Sequence, residues 1–250
     1  MKNLILAVPL LLALGSAGQK ASFNEIKRRP EKSYFNTQDT TIIFPIVVTG
    51  NVAVDQLINA QIKTNVFYLE DTMTGIREVL NENIQDNGLI YLSYKVTLNK
   101  NGLLSFFIDG EGCGAYCSTW KIYLNFDLRT GKKIPVDDLF LDNKTDSFKN
   151  MVLKDKIEAL NKYKEDKHKS FINEGVDSVE YQWAISEVDE NCINSISIDN
   201  FSLMDDAIEI IDPCEFPHAI GSQQPDVELK YLYRNIAGFL NPTFRLILKY

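Results

Sequence analysis

The stretch that decides the fold is NGLLSFFIDGEGCGAYCSTWKIYLNFDLRTGKKIPVDDLF, Asn101–Phe140. Asn99-Lys100-Asn101-Gly102 is polar and ends in glycine, a hairpin signal. Leu103, Leu104, Phe106, Phe107 and Ile108 follow as an apolar run that Gly110, Gly112 and Gly114 are expected to break. From Lys121 the pattern alternates: Ile122, Leu124, Phe126 and Leu128 on one face, Lys121, Tyr123, Asn125 and Asp127 on the other. That two-residue period predicts a half-buried strand. Arg129-Thr130-Gly131-Lys132 reads as a turn. Pro135 bars a central strand beyond it, and Asp137 or Asp138 is placed to cap a short helical turn.

Working back toward the N-terminus, Ile90, Leu92, Tyr94, Val96 and Leu98 alternate and predict a strand antiparallel to 103–108. Before it, Val54, Leu57, Ile58, Ile62, Val66, Leu69, Met73, Ile76 and Leu80 form one apolar stripe at helical spacing. It predicts a helix over about 53–84, in one piece or in two meeting at Gly75. Thr40–Val48 is β-branched and predicts a strand, which Pro45 would confine to an edge or a bulge. Residues 18–38, with Lys27, Arg28 and Arg29, read as a polar lead that is poorly ordered or forms an irregular edge.

Working forward, Asp146 or Ser147 can cap a helix carrying Phe148, Met151, Val152, Ile157 and Leu160, with a lysine-rich end that suits the helix dipole. Residues 163–177 read as loop. Short strands are expected near 193–198, 200–204, 207–211 and 226–233, with Asp205-Asp206 as a turn. Asn235–Leu240 suggests a short helix and Thr243–Tyr250 a last strand. The fold class is therefore α+β: an antiparallel sheet covered by a long helix, then a second, smaller α+β module. The divisions expected are 1–17, 18–38, 39–128 and 129–250.

Residues 1–17 combine Lys2, an apolar run from Leu4 to Leu14 and Gly15-Ser16-Ala17. This is the pattern of a secretory signal cut near Ala17, and it is short for a membrane span. Export makes the location periplasmic or extracellular and gives the four cysteines a structural meaning. The favoured pairing is Cys113–Cys117 with Cys192–Cys214; a cross-pairing that ties the glycine loop to the later hairpin is the alternative. The formal net charge of -8 disfavours nucleic acid or anionic lipid as partner.

An ordered set of short motifs carries a family resemblance. It comprises Phe44-Pro45, Leu57-Ile58-Asn59, Asn101-Gly102-Leu103-Leu104-Ser105, Asn125-Phe126-Asp127-Leu128, Thr130-Gly131-Lys132 and Val136-Asp137-Asp138-Leu139-Phe140. In this order and spacing the chain resembles the bacterial secreted RsiV-like, or DUF3298, family with its adjoining DUF4163 module, over roughly residues 34–235. Such modules occur in the extracellular part of a lysozyme-sensing anti-sigma factor and beside the catalytic domain of some peptidoglycan deacetylases. The resemblance implies an α+β architecture like part of the actin-like ATPase fold, without the nucleotide site. It implies recognition of an envelope component or a secreted protein, and no catalysis by the module itself. Where the family has Gly-Ala-His this chain has Gly114-Ala115-Tyr116-Cys117, so no role of that histidine transfers. The family's later Pro-Tyr-Glu-Ile loop is here Pro213-Cys214-Glu215-Phe216, which implies a disulfide-stapled version of both loops.

The contact residues expected for a binding module are Ala115, Tyr116, Trp120 and Phe216, because exposed aromatics bury much area at modest entropic cost. A cell-wall glycan hydrolase using paired carboxylates is the competing class, with Asp109, Glu111, Asp137, Asp138, Asp205 and Asp206 at strand ends or turns. His168 and His218 are the two histidines, and both read as loop residues rather than catalytic bases. Asp109-Gly110-Glu111-Gly112 lacks the closing glutamate of a calcium loop. Nothing in the sequence calls for a cofactor or a metal.

Overall fold

The computed structural model describes residues 18–30, 41–69, 74–174, 178–193, 196–212, 214–225 and 227–248. The expected signal segment lies outside the described residues. A mixed five-stranded sheet runs β1 (Ser22–Arg28), β2 (Ile42–Val48), β3 (Leu89–Lys100), β4 (Leu103–Cys113) and β5 (Cys117–Asp127), in that spatial order. The strands β3, β4 and β5 form an antiparallel meander. Asn101 and Gly102 connect the first pair at φ 55° and 81°, the left-handed geometry that makes Asn-Gly a two-residue hairpin turn. The helices α1 (Val52–Phe67) and α2 (Ile76–Gln85) cross from β2 to β3, so those two strands run parallel, with Ile42 opposite Leu92. The sheet is thus mixed rather than antiparallel throughout, and the helical stripe takes the two-piece form of the expectation. Gly75 is the residue preceding α2, where the expected break falls. Asn51 caps α1, its Oδ1 accepting from the Ala53 and Val54 N–H groups.

Three expectations about this sheet are corrected. Residues 22–28 form a regular strand rather than an irregular lead: the Phe23 ring stacks on Tyr94 at 5.2 Å and meets Phe106 edge-on at 5.9 Å. Pro45 lies in an interior strand. Asn59 of α1 explains this, for its amide group bonds both the N–H and the C=O of Val47, each at 2.8 Å. Pro45, two residues earlier, turns the same edge toward the helix, and its missing N–H costs no ladder bond. The glycines of 110–112 do not end β4, which continues to Cys113. Gly110 is paired with Trp120, and a Cβ there would fall 2.0 Å from the indole Cζ2. The missing side chain is what lets the ring lie on the strand.

The second sheet is antiparallel, β6 (Phe201–Leu203), β7 (Ala207–Ile210) and β8 (Leu229–Leu232), with Asp205-Asp206 at the expected turn. It packs with α3 (Thr145–Glu174) around Phe140, Phe148, Val152, Phe201, Ile208 and Tyr233. The long helix overruns the loop expected at 163–177, since Tyr163 remains half-buried and donates its hydroxyl to the Gln223 carbonyl. A further helix, α4 (Ser178–Glu187), and a π-turn, Val188–Cys192, were not legible; residues 196–198 are irregular rather than a strand. The short helix expected at 235–240 is displaced to α5 (Tyr233–Ile236). The C-terminal segment forms α6 (Pro242–Leu248), not a strand: Pro242 starts it, and Asn241 Oδ1 accepts from the Thr243 N–H. Asp137 and Asp138 lie inside a 3-10 turn, Val136–Leu139, rather than capping it. No helix among the described residues is long and apolar enough to cross a membrane.

The two sheets meet through buried polar side chains. Asn125 Nδ2 donates to the Phe201 carbonyl at 2.8 Å. Ser105 Oγ accepts from the Leu203 N–H at 3.0 Å and from Thr97 Oγ1 at 2.9 Å, while Ser202 Oγ donates to Thr97 Oγ1 at 3.0 Å. Two measurements test these contacts. Ser105→Ala strands a buried N–H and is expected to cost about 1–3 kcal/mol in urea unfolding, with the far-UV spectrum unchanged. Gly110→Ala forces the indole off the strand and is expected to cost about 1–3 kcal/mol. In a Trp183→Phe background its fluorescence should shift to the red.

Candidate functional site

The alternation of β3, β4 and β5 sorts their side chains onto two faces. Trp120, Ile122, Leu124 and Phe126 point to the α1 side and pack in the first core. The outer face carries cross-strand rows in register: Tyr91, Glu111 and Thr119; Ser93, Asp109 and Lys121; Lys95, Phe107 and Tyr123. Farther along the same face, Ser105 and Asn125 lie under β6. The second sheet therefore covers one half of the outer face and leaves the other half as an open shelf.

At the step between the halves is a groove of about 250 Å³, with Lys121 and Tyr123 as floor and Glu209, Asp212, Gln224 and Glu228 among its walls. The Tyr123 and Phe107 rings lie 5.5 Å apart. The Lys121 ammonium sits 4.7 Å from the Phe107 centroid and 3.3 Å from Asp109 Oδ1. Burial pushes the Tyr123 phenol up to about 12, helped by the negative charges of Glu209 and then Asp109.

At the far end of the shelf the β4–β5 hairpin closes with a disulfide between facing residues, Cys113 and Cys117. The second disulfide joins Cys192 to Cys214, so the favoured pairing is the one formed. Gly114, Ala115 and Tyr116 make the exposed tip, and Tyr116 is 76% exposed. Glu111 lies close to both sulfurs of the first bridge, but sulfurs joined to each other offer a metal no thiolate.

Of the residues singled out from the sequence, Ala115 and Tyr116 thus lie together at the tip. Trp120 lies on the opposite face of the sheet, over Gly110. Phe216 is 8% exposed and packs with Leu160, Val188 and the Cys192–Cys214 bridge in a third, small core. Sequence reasoning missed Phe107, Tyr123 and Glu209 as neighbours. The outward parity of Lys121 and Tyr123 was the available signal; their partner across the groove comes from a distant segment. His168 is exposed on α3, 3.1 Å from the Tyr181 hydroxyl, and the His218 side chain lies outside the described residues.

The buried phenols give an alkaline signature. Tyr123 and Tyr163 are both pushed up to about 12 by burial, and Tyr231 is raised by burial and by its bond to Asp155. A raised folded-state pKa stabilises the fold fully below the unfolded value of about 10 and loses that contribution as pH rises toward 12. Ultraviolet titration should therefore show a set of late-ionising tyrosines. Stability should fall between pH 10 and about 12, less steeply in Tyr123→Phe.

No family model and no curated protein matches the chain. Solved structures do. A crystal structure of a DUF3298-family member from Bacteroides fragilis NCTC 9343 is 16% identical, with 93% of this chain and 97% of that one covered at a TM-score of 0.56. A DUF3298-family protein from Pseudomonas aeruginosa PAO1 is 13% identical, with 90% and 95% covered at a TM-score of 0.51. The resemblance read from short motifs holds in three dimensions: the chain has the fold of these DUF3298 proteins across nearly its whole length.

Proposed function

We propose that this chain is a non-catalytic exported binding or sensory module of the RsiV-like, DUF3298 type, which recognises a cell-envelope component or a secreted protein. The observation that carries this reading is the clasped hairpin tip. It holds an exposed tyrosine at the end of a stiff ribbon, and the open shelf beside it continues the same face. A preorganised aromatic loses little freedom when a partner covers it. Two formed disulfides support a periplasmic or extracellular location. Lysozyme and peptidoglycan fragments are the partners to test first. The net charge of -8 would steer a basic protein such as lysozyme toward the chain. A second reading, hydrolysis of cell-wall glycan by paired carboxylates, would draw on Glu209, which lines the groove, and Asp109 beside it, whose charges both raise the Tyr123 phenol.

The test uses residues 18–250 with disulfides intact as bait for envelope extract, lysozyme and muropeptides. Saturable retention of one component is expected. Tyr116→Ala should abolish it with the fold retained. Phe216→Ala should instead cost about 3–5 kcal/mol through lost packing, and it serves as the control for unfolding. Conversion of the glycan into new products would replace the binding reading with the hydrolytic one.

A further inference from the structure

Lys121 occupies an unusual position on the shelf. Its ammonium lies over the Phe107 ring at 4.7 Å and beside Asp109 at 3.3 Å, where the open face meets the second sheet. Tyr123 adds a second ring at 5.5 Å from the first. Glu209 and Glu228 face the same groove from the other side, while Asp212, also in the wall, is held by buried Lys156 at 2.5 Å. Aromatic faces, carboxylates and a walled cavity together have the makeup of a cation site. A cation from the chain itself already lies beside the groove, on Phe107 and Asp109, yet loosely: the Lys121 and Asp109 side chains are 44% and 34% exposed. A pair so open to water is a weak hold.

The geometry points to this groove, with the Phe107 ring at its edge beside Tyr123, as a receptor for a cationic side chain, arginine before lysine, presented by a basic protein partner, with Lys121 as a tethered cation that the incoming side chain displaces from Phe107 and Asp109. The inference rests on the binding-module reading and supplies the chemistry of its partner. A guanidinium suits the place better than the resident ammonium. Its plane can stack on Phe107, and its fork can donate two bonds to one carboxylate. The cavity of about 250 Å³ leaves room for such a head group beside the walls. The negative charge of the chain gathers cations from a distance, and the groove then selects among them.

The experiment titrates the disulfide-intact chain with acetyl-tetra-arginine amide, and with its lysine counterpart, following backbone amide shifts by NMR at low and high salt. Binding is expected to move the amides of Phe107, Asp109, Lys121 and Tyr123, with arginine tighter than lysine. Lys121→Met should tighten binding roughly two- to fivefold, because it removes a competitor held by a partly exposed ion pair. Glu209→Gln and Phe107→Leu should weaken it. Lys144→Met removes the same charge from an exposed position just before α3 and should leave the affinity nearly unchanged. The inference is overturned if neither peptide binds, if the shifts lie elsewhere, if Lys121→Met weakens binding or leaves it unchanged, or if Lys144→Met tightens it equally. Should it fall while Tyr116-dependent retention of a partner persists, the binding module stands without this site. Loss of that retention with the peptide results intact would leave a cation groove without the proposed tip.

Discussion

One edge of β6 holds the molecule together. Residues 200, 202 and 204 turn their backbone groups toward β7, so Phe201 and Leu203 turn theirs toward the first sheet. No described strand pairs with them there. Side chains do: Asn125 for the Phe201 carbonyl, Ser105 for the Leu203 N–H, with Thr97 and Ser202 closing the hydroxyl chain. Ser105, Asn125 and Ser202 are each at most 2% exposed, so every bond missed would leave a desolvated polar group. Asn125 Oδ1 alone meets no partner among the described residues. Apolar contacts between Leu98 and Leu103 of the first sheet and the second core surround this polar seam. They supply attraction without direction, and the hydrogen bonds supply the register.

The register fixed there decides what stays open. β6 can cover the outer face only where Ser105 and Asn125 project. Four residue pairs farther along, the Lys121 row borders the groove beside Glu209 and Ile210, and in the next row Tyr91 and Thr119 are exposed. The shelf, the groove and the clasped tip are thus consequences of a partial overlap of two sheets. The same alternation places Trp120 on the inner face and Tyr123 on the outer, so neighbouring aromatics serve different purposes: one packs on Gly110, the other borders a groove. Stiffness along the ribbon comes from the indole on its inner side and the Cys113–Cys117 bridge at its end. The bridge encloses a short loop, so its effect lies in fixing the tip more than in constraining the whole unfolded chain.

Much of this was legible where local chemistry and tertiary structure agree. Asn101-Gly102 demanded a tight hairpin, the 121–128 alternation demanded a strand, and Gly75 marked the break between two helices. The sequence misled where a distant partner overrode the local signal. Gly110 looks like a strand breaker until the indole of Trp120 is laid on it. Pro45 looks like an edge residue until Asn59 takes the place of a strand. Phe244, Leu246 and Leu248 have the spacing of a strand, yet Leu248 is buried while Leu246 is 80% exposed, as a helix end on one core requires. The lysines at 162, 164 and 167 look like a helix terminus, yet α3 runs past them to Glu174 and Lys164 pairs with Asp189. For the candidate site, the tip was legible because glycine, cysteine and tyrosine lie together in the chain. The groove was not, since Glu209 lies 86 residues beyond Tyr123 and only the β6–β7 overlap brings them together.

That contrast bears on how a chain of this fold varies its surface while keeping its core. The seam and the three cores use residues whose loss costs stability directly: Ser105, Asn125, Phe148 and Phe216 are all buried. The shelf uses outward positions of the same strands, where period-two alternation isolates each side chain from the core behind it. Tyr91, Lys95, Thr119 and Lys121 are exposed and can be exchanged at little cost to the fold. Asp109 and Phe107 are intermediate, tied to the shelf through Lys121 rather than to the packing below. A chain only 13–16% identical to its structural counterparts can therefore keep their fold across nearly its full length. The constraint falls on one face of each strand and on the seam under β6, and the uncovered part of the outer face is free to vary in shape and charge.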